Sequence, residues 1–152
     1  MRYWLFKSEP ETFSIDDLRA RRNQIEHWDG VRNYQARNML RDEVKAGDQV
    51  LFYHSNCKPP GIVGVAEVVK EGYPDFTAWN PESSYYDPRS TKEKPQWFMV
   101  DIKFVEKFPQ IISLDDLKQN SKLHEMLILR KGNRLSVTPV TASEFKTILK
   151  MV

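Results

Sequence analysis

Pro74, Pro81, Pro88 and Pro95 punctuate the stretch from Glu71 to Gln96 and, set among Asp, Asn and Ser, predict a long connector in the middle of the chain. The same stretch holds Tyr73, Phe76, Trp79, Tyr85 and Tyr86. Aromatic rings are expensive to leave in water, and long loops inside compact domains tend to be lids or binding walls. Any fold for this chain must therefore offer the connector a surface to lie against.

The elements on either side are legible from their patterns. Residues 2–7 alternate charged and apolar side chains before Pro10 and predict a short strand. Gln49–His54 and Ile62–Lys70 are rich in β-branched and aromatic residues, and the intervening Pro59, Pro60 and Gly61 predict a hairpin. Trp97–Phe108 alternates well enough to be the longest strand, and Leu135–Val137 is a further candidate. Helices are expected at 14–22, 32–44 and 113–120, with a last one opening at Thr141 or Ser143 and running to Lys150. Ser14-Ile15-Asp16-Asp17-Leu18 and Ser113-Leu114-Asp115-Asp116-Leu117 echo one another, which reads as shared helix-start chemistry: a serine N-cap followed by carboxylates at the positive end of the helix dipole. Strands come first and last with helices inserted, so an α+β fold, as a mixed sheet or small barrel with flanking helices, fits better than a doubly wound one.

With 152 residues, 40% apolar and 12% aromatic, the chain is long enough for one domain, residues 1–152, that stands alone as a monomer without metal or disulfide. The single Cys57 forms no internal disulfide, the N-terminus resembles no signal peptide, and the longest apolar run is five residues, so no membrane association is expected and the location is cytoplasmic, or nuclear in a eukaryote. A net charge of +2 argues against a protein that coats nucleic acid non-specifically, although residues 118–150 carry +5 against −3 for the remainder and leave a local basic face open.

Most catalytic chemistries lack their residues. His54 and Cys57 are spaced like two ligands of one ion, but a structural zinc site wants four, so no metal is expected. Nothing flanking Cys57 resembles a nucleophile turn, and no phosphate-cradling glycine motif accompanies Gly61 and Gly64, which mark places where a strand packs closely or bends. No cofactor follows. Trp28 is more suggestive. It precedes the turn-forming Asp29-Gly30, and the helix expected from Arg32 has three arginines and no acid over residues 30–41. A flat ring beside cationic donors can stack a base for about 1–3 kcal/mol while arginines take phosphate. The alternative is that Trp28 and Tyr34 are core residues and the arginines a solvated face.

Five blocks in order resemble the EVE domain family over nearly the whole chain: Trp4-Leu5-Phe6-Lys7-Ser8-Glu9-Pro10, then the run Trp28 to Asn38, then Phe52-Tyr53-His54-Ser55 with Gly61 to Ala66, then Tyr73-Pro74-Asp75 with Tyr85-Tyr86-Asp87-Pro88, and Arg134-Leu135-Ser136-Val137. The resemblance implies a PUA-like mixed β-barrel with peripheral helices. It also implies kinship with YTH domains, which hold a methylated adenine in an aromatic cage. By that analogy the chain is a module that recognises a modified base in DNA or RNA. Trp28 resembles one wall of the cage, and Tyr85 or Tyr86 the other, in place of the Trp-rich run of YTH sequences. Lys7, Ser8, Asn33, His54 and Ser55 match motif positions and would supply polar contacts, while Arg32, Arg37 and Lys58 would hold backbone phosphates.

Two other readings stay open. One is an enzyme acting on a modified nucleotide, with Lys7, Glu9 and His54 as acid–base groups. The other is a protein-interaction module using the basic C-terminal helix.

Overall fold

The computed structural model describes residues 1–152. The strands are β1 (Tyr3–Ser8), β2 (Ile25–His27), β3 (Gln49–His54), β4 (Gly61–Pro74), β5 (Phe98–Ser113) and β6 (Val137–Val140), and the helices are α1 (Ile15–Ala20), α2 (Tyr34–Asp42), α3 (Leu114–Gln119) and α4 (Ala142–Lys150). All six strands join one mixed sheet in the order β2-β5-β4-β3-β1-β6. The β1–β3 pair is parallel, with Tyr3 opposite Gln49 and Ser8 opposite His54, and every other pair is antiparallel.

Period-two alternation divides the core between the two faces of this sheet. Trp4 and Phe6 of β1, with Val50 and Phe52 of β3, face one apolar layer closed by Ile15 and Leu18 of α1 and Ala36, Met39 and Leu40 of α2. Leu5, Leu51 and Tyr53 face the other, closed by Leu117 of α3 and Phe145 and Ile148 of α4. The helices thus flank both faces, as the pattern of elements implied.

The barrel expectation needs correcting. The ladder ends at β2 and β6, of three and four residues, and these do not pair, so the sheet is not closed into a barrel. Neither terminal strand is long enough to carry a closing ladder. The β4–β5 ribbon is irregular, with register shifts at four places, one of them between Ile62 and Gly64. A Cβ built on Gly61 would lie 2.2 Å from the Ile112 carbonyl oxygen and one on Gly64 2.3 Å from that of Glu106, so both glycines mark close backbone approach.

The repeated helix starts are real capping boxes: Ser14 with Asp17, and Ser113 with Asp116, exchange side-chain and backbone hydrogen bonds. A third forms between Thr141 and Glu144 at α4. No helix is long and apolar enough to cross a membrane.

Candidate functional site

Two sizeable hollows open on the surface. The one at the far end of β5, against α3 and the C-terminus, encloses about 720 Å³ and has no aromatic in its wall. The other, about 570 Å³, lies where the end of β1, the chain from β2 to α2 and the connector meet. Its volume suits a small-molecule or single-base guest. Lys7, Ser8, Trp28, Arg32 and Tyr85 line it, so part of the sequence expectation is gathered here from three separate stretches of chain.

Trp28 is placed by the last pairing of the β2 edge: its N–H donates to the Val100 carbonyl (2.7 Å). Its indole is wedged among Phe6 (5.3 Å between ring centroids), Phe52 (5.4 Å) and Phe13 (6.3 Å), and only 6% of the residue is exposed. Trp28 is therefore a core residue, and it also contributes to the lining of the cleft. Tyr85 comes from the connector. Its ring lies so close over Gly30 that a Cβ there would fall 2.5 Å from it, and Gly30 also has φ +79°, a backbone region that favours glycine.

A buried carboxylate ties these parts together. Asp75, fully buried at the end of β4, accepts from the Gly30 N–H (2.9 Å), from Arg32 Nη1 (3.0 Å) and from the Thr77 N–H (2.9 Å). The Arg32 Nε and Nη2 both donate to the Tyr85 carbonyl (3.2 and 2.7 Å), and Nη1 also donates to the Val31 carbonyl (3.0 Å). Arg32 therefore spends its donors inside the protein, and its evident work is to position the Tyr85 segment. Arg37 is similarly engaged: Nη1 donates to the Gln96 carbonyl (2.6 Å), and the guanidinium lies 4.9 Å from the centre of the Tyr34 ring. Lys58 is exposed on the β3–β4 turn and does not line the cleft.

The other expected polar residues divide. Lys7 is half-buried in the cleft wall, makes no ion pair, and burial pushes its ammonium below the usual lysine range. Ser8 Oγ donates to the Phe13 carbonyl (2.8 Å). Asn33, His54, Ser55 and Tyr86 are not in the lining. Asn33 is the N-cap of α2, accepting from the Ala36 N–H (3.0 Å). The His54 Nε2 accepts from the Ile15 N–H (3.1 Å) at the start of α1, and burial holds its imidazole below the ordinary histidine range. Ser55 donates its N–H to the Ser8 carbonyl (3.0 Å), and Tyr86 is 42% exposed.

The wall also contains residues that the sequence reading did not single out, among them Phe13, Arg21, Glu26, His27 and Asp29. Asp75 lay inside the quoted Tyr73-Pro74-Asp75 block, and only its contact with Gly30, 45 residues away, reveals its role.

The site is thus an aromatic-edged cleft with charged walls on a mixed α+β domain. The EVE domain model matches residues 2–151, and the chain belongs to the EVE domain family. Thymocyte nuclear protein 1 of Rattus norvegicus is 47% identical, covering 98% of this chain and 73% of that protein. A solved structure of a hypothetical protein from Leishmania major superposes with a TM-score of 0.94 at 52% identity, covering 99% of this chain and 94% of that one. Human THYN1 protein, solved in complex with 5-methylcytosine-containing DNA, superposes with a TM-score of 0.92 at 43% identity, covering 99% of this chain and 97% of that one.

Proposed function

We propose that this EVE domain binds DNA carrying a modified base, with 5-methylcytosine the first candidate, and takes that base into the cleft between Trp28 and Tyr85. The observation that carries the reading is the likeness over 99% of the chain to human THYN1 in its complex with 5-methylcytosine-containing DNA. The cleft supports it, with Phe13, Trp28 and Tyr85 at the wall, the unpaired ammonium of Lys7 in the same lining and room for a single extruded base. The PUA-like fold is part of the same proposal, supported by the mixed sheet with helices on both faces.

Burying one methyl group is worth about 0.8 kcal/mol, a roughly fourfold preference, so strong selectivity also needs polar contacts to the base edge. Tyr85 and Lys7 are the residues to test, because truncating Trp28 would also hollow the core. Labelled oligonucleotides carrying 5-methylcytosine, 5-hydroxymethylcytosine, N6-methyladenine or no mark are titrated against the wild type, Tyr85→Ala and Lys7→Ala. The wild type is expected to favour 5-methylcytosine over cytosine several-fold, and Tyr85→Ala to lose at least tenfold in affinity, as for one stacked base. Equal binding of every oligonucleotide, or none, overturns the reading.

A further inference from the structure

The cleft has four carboxylates in or directly beneath its wall, and three of them are already satisfied. Glu26 accepts from Arg21 Nε (2.7 Å) and from the His27 N–H (3.0 Å). Asp75 is saturated by Gly30, Arg32 and Thr77. Glu9, out at the exposed rim, takes the Asn56 amide (3.3 Å).

Asp29 differs. Its side chain is only 28% exposed, it accepts no hydrogen bond from any other residue, and the nearest basic side-chain nitrogen, His27 Nε2, is 3.8 Å away, beyond hydrogen-bonding reach. Burial raises its carboxyl above the usual aspartate range, so water has been partly removed while the only protein donor in its place is the residue's own N–H. The carboxylate follows Trp28 directly in the chain, and its charge is felt by the Tyr85 hydroxyl across the cleft, which it helps burial to push up. A half-desolvated acceptor in the same wall as Trp28 and Tyr85 is suited to a guest that brings a donor.

We propose that Asp29 is the specificity-determining residue of the cleft: its carboxylate accepts from the exocyclic amine of the bound base, so the site takes amino bases of the cytosine type and rejects their oxo counterparts. This rests on the modified-base reading above and adds which edge of the base is read. Carboxylates recognise cytosine through its 4-amino group, and a 4-oxo group in that place would set two acceptors against each other.

Thymine is the informative competitor, because it shares the ring and the 5-methyl group of 5-methylcytosine and differs on this edge by an oxygen for the amine and a protonated N3. Single-stranded oligonucleotides identical except for one central 5-methylcytosine, cytosine or thymine are titrated against the wild type and Asp29→Asn, whose amide can accept from an amine or donate to a carbonyl. The wild type is expected to bind 5-methylcytosine roughly tenfold or more tightly than thymine. In Asp29→Asn that ratio should collapse toward one, with the preference for 5-methylcytosine over cytosine and the thermal midpoint retained. A wild type that favours 5-methylcytosine over cytosine yet binds thymine equally overturns the role of Asp29 alone. An unchanged amine-to-oxo ratio in Asp29→Asn does the same. A wild type that makes no distinction between 5-methylcytosine and cytosine overturns 5-methylcytosine as the guest, and the assignment of Asp29 falls with it.

Discussion

At the scale of single residues, the cleft depends on one position with no side chain. Gly30 has φ +79° and lies beneath the Tyr85 ring, so Gly30→Ala meets two penalties: a left-handed backbone that costs an L-residue about 1–2 kcal/mol, and a Cβ inside the contact distance of the ring. We expect Gly30→Ala to lower stability by at least that amount in urea denaturation and to weaken oligonucleotide binding as much as Tyr85→Ala does. Wild-type affinity in a folded Gly30→Ala protein would show that the ring's seat does not set the slot. Asp29-Gly30 was readable in the sequence as a turn, because the dipeptide has local chemistry that favours one. That a tyrosine 55 positions later would lie on the glycine was not readable, since nothing local to either residue encodes their meeting. Arg32 shows the converse. Its place at the start of a helix with three arginines suggested a phosphate contact, and only the Tyr85 carbonyl and Asp75 show that its donors are already taken.

At the scale of elements, the strands and helices with strong periodicity were legible in place, although β4 and β5 run four and five residues past their expected ends and β6 shares only Val137 with the expected strand, while β2 was not legible. Three residues cannot display a period, and β2 exists because the edge of β5 pairs with it. The Pro-rich connector was legible as irregular beyond Pro74, where β4 ends, and its aromatics find a surface only in part: Tyr85 lies on Gly30, Phe76 and Tyr86 stay 45% and 42% exposed, and Trp97, just past the connector, stacks on Tyr34 of α2 (4.7 Å) and donates to Asp87 (2.8 Å). His54, matched to a family motif as a ligand contact, instead joins β3 to α1 through the Ile15 N–H. That hydrogen bond needs an unprotonated Nε2, and burial lowers the imidazole pKa in the folded state. The unfolded chain therefore binds the proton more readily, and the stabilisation is full above about pH 6.5 and is lost as the pH falls through the lower folded-state value. Between pH 7.5 and pH 5 the urea midpoint of the wild type should drop by more than that of His54→Ala, by an amount equivalent to about 1 kcal/mol or less. Equal drops in the two proteins would remove His54 as the source.

At the scale of the whole molecule, charge limits how the domain can hold a nucleic acid. The chain carries +2, and three cations in the cleft wall, Lys7, Arg21 and Arg32, are matched by three carboxylates, Glu9, Glu26 and Asp29. With Arg32 occupied internally, few phosphates can be neutralised around the site. The slope of log K against log salt for a 5-methylcytosine duplex should be no steeper than about −3, as expected for roughly three phosphate contacts. A slope near −6 would place the main contact on another face, such as the basic stretch 118–150. Composition alone anticipated this modest field, because net charge is a sum that folding does not alter. The location of the cleft was beyond composition, since it requires β1, the segment after β2 and the connector to converge. The knot at Asp75 has a consequence for any guest. It holds Gly30 and Arg32, and through Arg32 the Tyr85 carbonyl, on one carboxylate that solvent does not reach, so a change at that single atom group acts on both sides of the cleft at once.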